Sequence, residues 1–145
     1  MTAGVDCGLC ADASEPLNLH SVLVTELPTS YVRLVRNQSQ TGYCVVILED
    51  HVTELHHLEP RELTAFWMEV AVTSRAIAEL FSPVKLNHLS MGHRCPHLHC
   101  HVYPQYQHND PFQNVDISAG DTRPTVECLR VRAASIEARI HGLLT

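Results

Sequence analysis

The sequence predicts an α+β fold: an antiparallel sheet of about five short strands, a central helix and a C-terminal helix. Three observations predict it. Several short runs are apolar at period two, one long stretch between Pro60 and Pro83 is apolar at period 3.6, and a second such stretch closes the chain. With 145 residues, no internal repeat and no Ser/Gly linker, one domain over 1–145 is expected.

Taken in order, Ser21 to Leu27 and Tyr31 to Arg36 read as strands on either side of a Pro28-Thr29-Ser30 turn. A polar loop from Asn37 to Gly42 leads into Gly42 to Leu48, a run apolar enough to be a central strand. From Pro60 to Phe81 the period changes: Leu63, Phe66, Trp67, Val70, Ile77 and Phe81 share one helical face, with Pro60 in the first turn and Ser82-Pro83 closing the helix. Val84 to Ser90 reads as a short strand, followed by a turn at Gly92. His97 to Tyr103 alternates strictly and so forms a strand with His97, His99, His101 and Tyr103 on one face and Leu98, Cys100 and Val102 on the other. Beyond a polar loop at Pro104 to Phe112, the spacing of Val126, Leu129, Ala133, Ile136, Ile140 and Leu143 marks a helix, expected over about residues 122–141.

Composition narrows the function. The net charge is −6, Lys85 is the one lysine and the arginines are scattered, so a nucleic-acid backbone is a poor partner. An anionic substrate would need local donors rather than an overall positive field. No apolar run reaches the length of a membrane span, and the first residues lack the basic and apolar regions of a secretory signal, so a cytoplasmic protein is expected. Of the 11 histidines, His88, His93, His97, His99, His101 and His108 crowd one segment, where the chemistry is expected.

Three histidines at spacing two place three imidazoles along one strand face, about 6.6 Å apart at Cα. Imidazole can act as nucleophile, proton donor or metal ligand near neutral pH, so the row points to phosphoryl chemistry or metal binding. Without a secretory signal, the six cysteines read as thiols or metal ligands rather than disulfides. Cys44, Cys95, Cys100 and Cys128 stand singly and read as small buried hydrophobes. Cys7-Gly8-Leu9-Cys10 has the spacing of a zinc knuckle, with a redox dithiol as the rival reading. Of the remaining histidines, His56 and His57 could serve as ligands but read as solvated residues before the helix, and His20, His88, His108 and His141 read as ordinary polar positions.

The run His97-Leu98-His99-Cys100-His101-Val102-Tyr103 closely resembles the signature of the histidine-triad hydrolases and transferases, in which three histidines alternate with apolar residues. The preceding Asn87 to Pro96 segment is similar to the lead-in of bacterial members, and the resemblance spans about Cys7 to Phe112. It implies that His99 attacks the α-phosphate of a purine nucleotide to form a nucleotidyl-histidine, while His101 binds phosphate oxygens and assists the leaving group. It also implies substrate contacts from Asn87, from His93 where relatives carry an amide, and from Asn37 where relatives carry Asp for the ribose. An imidazole at His93 makes donation to phosphate pH-sensitive, and Gln105 stands where relatives often have Arg. Zinc-binding branches of the family complete the cysteine knuckle with two histidines, so structural zinc is expected on Cys7, Cys10, His51 and His97. A homodimer without nucleic-acid or membrane partners is expected as well. The alternative is a zinc-stabilised module that binds a nucleotide or partner with little turnover.

Overall fold

The computed structural model describes residues 7–145, in which five strands form one antiparallel sheet in the order β1-β2-β3-β5-β4. β1 (Ser21–Glu26) pairs with β2 (Ser30–Val35), and β2 with β3 (Cys44–Leu48). The chain then crosses through α2 (Pro60–Phe81) to the far edge as β4 (Lys85–Leu89), and β5 (His99–Gln105) returns between β3 and β4. That insertion puts the histidine strand inside the sheet, where neighbours on both sides fix its backbone.

One face of the sheet carries the main core. Val32, Leu34, Cys44, Val46, Cys100 and Val102 pack against Phe66, Val70 and Ile77 of α2 and Leu129, Ile136 and Ile140 of α3 (Val126–Leu144). The opposite face carries a small cluster of Ala13, Val45 and Ile47 with Leu9, Tyr31 and Val35, lying beneath the short helix α1 (Gly8–Asp12). β3 is therefore buried at all five residues, which explains why its sequence shows no alternation.

The ends of α2 are set locally. Glu59 and Glu62 form a reciprocal capping box, Pro60 occupies the first turn, and Ser82 closes the helix at φ 50° in the left-handed region. Gly42, at φ 92°, lies where a Cβ would come within 2.7 Å of the Phe81 ring, so the turn into β3 needs glycine. Glu69 is a buried carboxylate on α2 that ties the helix to the β1–β2 turn by accepting from Thr29 N, Thr29 Oγ1 and Ser30 Oγ. No helix among the described residues is long and apolar enough to cross a membrane.

Three expectations are corrected. The histidine strand runs over His99–Gln105 rather than 97–103: Pro96 has no amide hydrogen to donate, His97 N turns back to Cys95 O at 2.8 Å, and the ladder to β3 begins at Ile47 opposite His99. The C-terminal helix covers Val126–Leu144 rather than about 122–141, because Pro124 and the N-cap Thr125, whose side chain accepts from Cys128 N, set its start. Among the single cysteines, Cys44 and Cys100 are buried as expected, but Cys128 is exposed and Cys95 half-buried.

Candidate active site and zinc centre

Cys7 and Cys10 bracket the first turn of α1, His51 follows β3 and His97 precedes β5. Four side chains from three parts of the chain thus converge, with all ligand atoms within 4.8 Å of one another. His97 Nε2 lies 2.6 Å from the Leu48 carbonyl, which can only accept, so Nε2 carries the hydrogen and Nδ1 the lone pair. That lone pair points at the sulfurs of Cys7 (3.5 Å) and Cys10 (3.3 Å) and at His51 Nδ1 (3.3 Å), while Cys10 Sγ lies 3.2 Å from His51 Nδ1. Tetrahedral zinc with ordinary bond lengths requires edges of about 3.4 Å between nitrogens and about 3.6 Å between nitrogen and sulfur. The observed separations match, and a cation is what allows such electron-rich atoms to approach one another.

The Leu48 carbonyl supplies the outer hydrogen bond that orients a zinc-ligating imidazole. Burial also holds the His97 imidazole below its ordinary range, against an opposing effect of that carbonyl, so the neutral, ligating form is favoured. The set Cys7, Cys10, His51 and His97 therefore suits a closed structural zinc site. His56 and His57 take no part; they stack edge to face on the turn at Leu55–His57.

Two supporting residues were not foreseen. Cys95 sits beside Cys7, where burial first and the neighbouring thiolate second push its thiol up, keeping it protonated next to the ligands. Arg33 is fully buried and donates to Ser21 Oγ, Ser21 O, Ala13 O and Glu15 O, which pins the chain leaving α1 against the sheet. Neither has a sequence signal, since each works through contacts far along the chain.

The candidate nucleophile follows directly. His99 Nδ1 lies 2.5 Å from the carbonyl of His97, so Nδ1 bears the hydrogen and Nε2 presents the lone pair. His99 lines two cavities. One, of about 410 Å³, lies on the sheet face over Val35, Val45 and Ile47 and also receives His101, Tyr43 and Cys95. The other, about 570 Å³, is enclosed by Thr53 to His56 and by Ser90 to His93. Both have the size of small-molecule sites.

The ring of His101 stands 4.9 Å from that of His99 at 79°, and its Nδ1 lies 2.7 Å from the Tyr43 hydroxyl. Burial, then the neighbouring His99, push His101 down to about 4, so its imidazole is neutral at physiological pH. In the unfolded chain the same group titrates near its ordinary 6.5. Because the folded value is the lower one, this contribution is intact above the unfolded value and is lost as pH falls from about 6.5 toward 4. His101→Gln is expected to flatten the acid limb of stability by at most about 3 kcal/mol, read from urea midpoints of both proteins across that window.

The structure places the other expected contacts unevenly. His93 lines the larger cavity with His99. Asn87 stands opposite Tyr103 on β4 and so shares the face of His101, one pair away. Asn37 does not reach either cavity: its side chain is engaged by Gly120 O, Ser39 and Thr122 N. Its Oδ1 accepts from Ser39 and Thr122 N and its Nδ2 donates one hydrogen to Gly120 O, which braces the loop. Gln105 lies at the far end of β5, opposite Lys85.

Comparison with known proteins agrees with this arrangement. The HIT domain matches residues 17–108. A histidine triad protein from Marinobacter aquaeolei VT8 superposes at a TM-score of 0.75 with 18% identity, covering 91% of this chain and 97% of that one. A HIT-family protein from Bacillus subtilis is 25% identical at a TM-score of 0.64, covering 92% and 96%. A zinc-bound histidine triad family protein from Mycobacterium smegmatis is 18% identical at 0.68, covering 95% of each chain. No curated protein sequence gives a significant match.

Proposed function

The chain belongs to the HIT-domain family, and from that premise we propose that it hydrolyses or transfers a nucleotidyl group through a covalent nucleotidyl-His99 intermediate. The observation that carries this reading is the hydrogen bond from His99 Nδ1 to the His97 carbonyl, which leaves the lone pair on Nε2 of a residue that lines both cavities. The apolar sheet-face cavity suits a purine nucleoside, and the larger one suits the leaving group or acceptor. Substrates of this shape include dinucleoside polyphosphates, nucleoside phosphoramidates and adenylylated small molecules.

In the first step the Nε2 pair forms a P–N bond to the α-phosphorus as the bond to the leaving group breaks, and the leaving group departs with that electron pair. His99 keeps its Nδ1–H on the His97 carbonyl, which stabilises the resulting imidazolium. In the second step water adds to phosphorus, the P–N pair returns to Nε2, and the water proton is released. His101 donates to a phosphate oxygen, and His93 supplies a further donor from the loop. Zinc on Cys7, Cys10, His51 and His97 holds the strand entry, and its role is structural.

By the same reading the chain forms a homodimer in the cytoplasm, and light scattering of the purified chain would test the dimer. For the activity, incubation with a fluorogenic adenosine phosphoramidate is expected to release the fluorophore with multiple turnovers. Nucleotide binding without release would instead leave a binding module.

A further inference from the structure

Resting on the assignment of His99 and His101 as the reactive pair, we propose that Tyr43 is a positioning residue that fixes His101 as the Nε2–H tautomer. The two neighbouring imidazoles then present opposite functions to one phosphate: a lone pair from His99 and a hydrogen-bond donor from His101.

The geometry begins at the entry to β3: Tyr43, just before the strand, and Val45 and Ile47 within it line the sheet-face cavity, while Cys44, Val46 and Leu48 enter the main core. Tyr43 is almost fully buried, and its hydroxyl meets His101 Nδ1 at 2.7 Å. Its ring is set from the side by Tyr103, edge to face with centroids 4.9 Å apart at 87°. Tyr103 is itself tethered, its hydroxyl donating to Asp116 O at 3.1 Å, so the Tyr43 hydroxyl has His101 to itself.

The direction of the Tyr43–His101 bond follows from what each group can do. Were Nδ1–H the donor, the phenolic hydrogen of Tyr43 would need another acceptor, and no other lies within hydrogen-bond distance among the described residues. A buried hydroxyl left without an acceptor is costly. Burial also raises Tyr43 above its ordinary value, so the phenol keeps its hydrogen. Tyr43 therefore donates, Nδ1 of His101 accepts, and the hydrogen of the neutral imidazole is left on Nε2. Around His101 stand His99 on its own strand and Tyr43, with Val45 opposite on β3 and Leu89 opposite on β4, and the same cavity is lined by Asp12, His20, Arg33 and Cys95. Among the described residues the Tyr43 hydroxyl is the group that hydrogen-bonds the His101 ring, and the Asp12 carboxylate makes no hydrogen bond to it.

The contrast with His99 is built into the backbone. His99 meets a carbonyl, which forces Nδ1–H, whereas His101 meets a hydroxyl, which can donate. Exchanging either partner would give two donors or two lone pairs and lose the division of roles.

The test combines a spectroscopic and a kinetic reading on the zinc-loaded protein. Long-range 1H–15N correlation of 15N-labelled protein, with the His101 ring assigned by His101→Gln, is expected to show hydrogen on Nε2 and none on Nδ1. In Tyr43→Phe, which keeps the ring and its packing, that preference is expected to disappear into a tautomer mixture. With a fluorogenic adenosine phosphoramidate, kcat is expected to fall about tenfold with KM changed less than about twofold. Hydrogen on Nδ1 in the wild type, or an unchanged Nε2–H preference in Tyr43→Phe, would overturn the proposal. The tautomer is read without substrate, so it is decided even if the wild type turns over no nucleotide, an outcome that would instead sink the enzymatic reading.

Discussion

His99→Ala lowers kcat/KM for nucleotidyl transfer by about 10³-fold or more, with circular dichroism and thermal midpoint close to those of the wild type. The loss is large because nothing nearby can replace the missing lone pair. His101 stands beside it, but its Nδ1 faces Tyr43 and it enters the site as a donor. The fold is spared because His99 borders two cavities rather than filling the main core. Its one hydrogen bond leaves an acceptor on His97 that cavity water can satisfy. His99→Asn is expected to retain nucleotide binding, measured by calorimetry, since the sheet-face cavity is unchanged. Near wild-type turnover of His99→Ala would end the covalent reading.

Cys10→Ser is the second substitution with a large effect, and it acts on stability. Cys10 Sγ meets both histidines of the cluster, so its loss removes the sulfur that links α1 to His51 and His97 together. The wild type is expected to carry one zinc per chain by elemental analysis and the variant to lose it. At metal concentrations about a thousandfold above the dissociation constant, bound zinc adds about 4 kcal/mol, which for a chain of this size shifts the midpoint by about 10 °C. A chelator should reproduce that shift in the wild type and leave the variant unmoved. A metal-free wild type of unchanged midpoint would contradict the zinc assignment. Activity should fall less than stability, because His99 takes its orientation from the His97 backbone and not from the metal itself.

Much of this was legible in the sequence where one physical signal dominates. The helix at Pro60–Phe81 was expected with its observed bounds because a capping proline, an apolar stripe and a closing Ser-Pro agree. The histidine row announced its chemistry because period two is hard to produce by chance with apolar partners between. The two cysteine ligands came from their spacing, but the two histidines came from resemblance: His51 and His97 lie 41 and 87 residues from Cys10, and no local rule links them. His97 also misled the strand assignment, since alternation in sequence says nothing about where the ladder ends, and its ring belongs to the metal cluster before β5 begins. Tyr43 was hidden inside a run that is apolar on both faces, where alternation is invisible. The bonds of Asn37 to Gly120 and Thr122 were equally hidden, because those partners lie more than 80 residues away.

A covalent bond between phosphorus and His99 Nε2 is what separates a nucleotidyl-transferring enzyme from a module that only binds nucleotide. Protein mixed with a nucleotide substrate, quenched in alkali within the first turnover and digested, should yield the peptide containing His99 carrying one nucleotidyl group by mass spectrometry. The label should vanish on longer incubation as water resolves it and be absent from His99→Ala. Turnover without any labelled peptide in that first cycle, or a label on a residue other than His99, would contradict it.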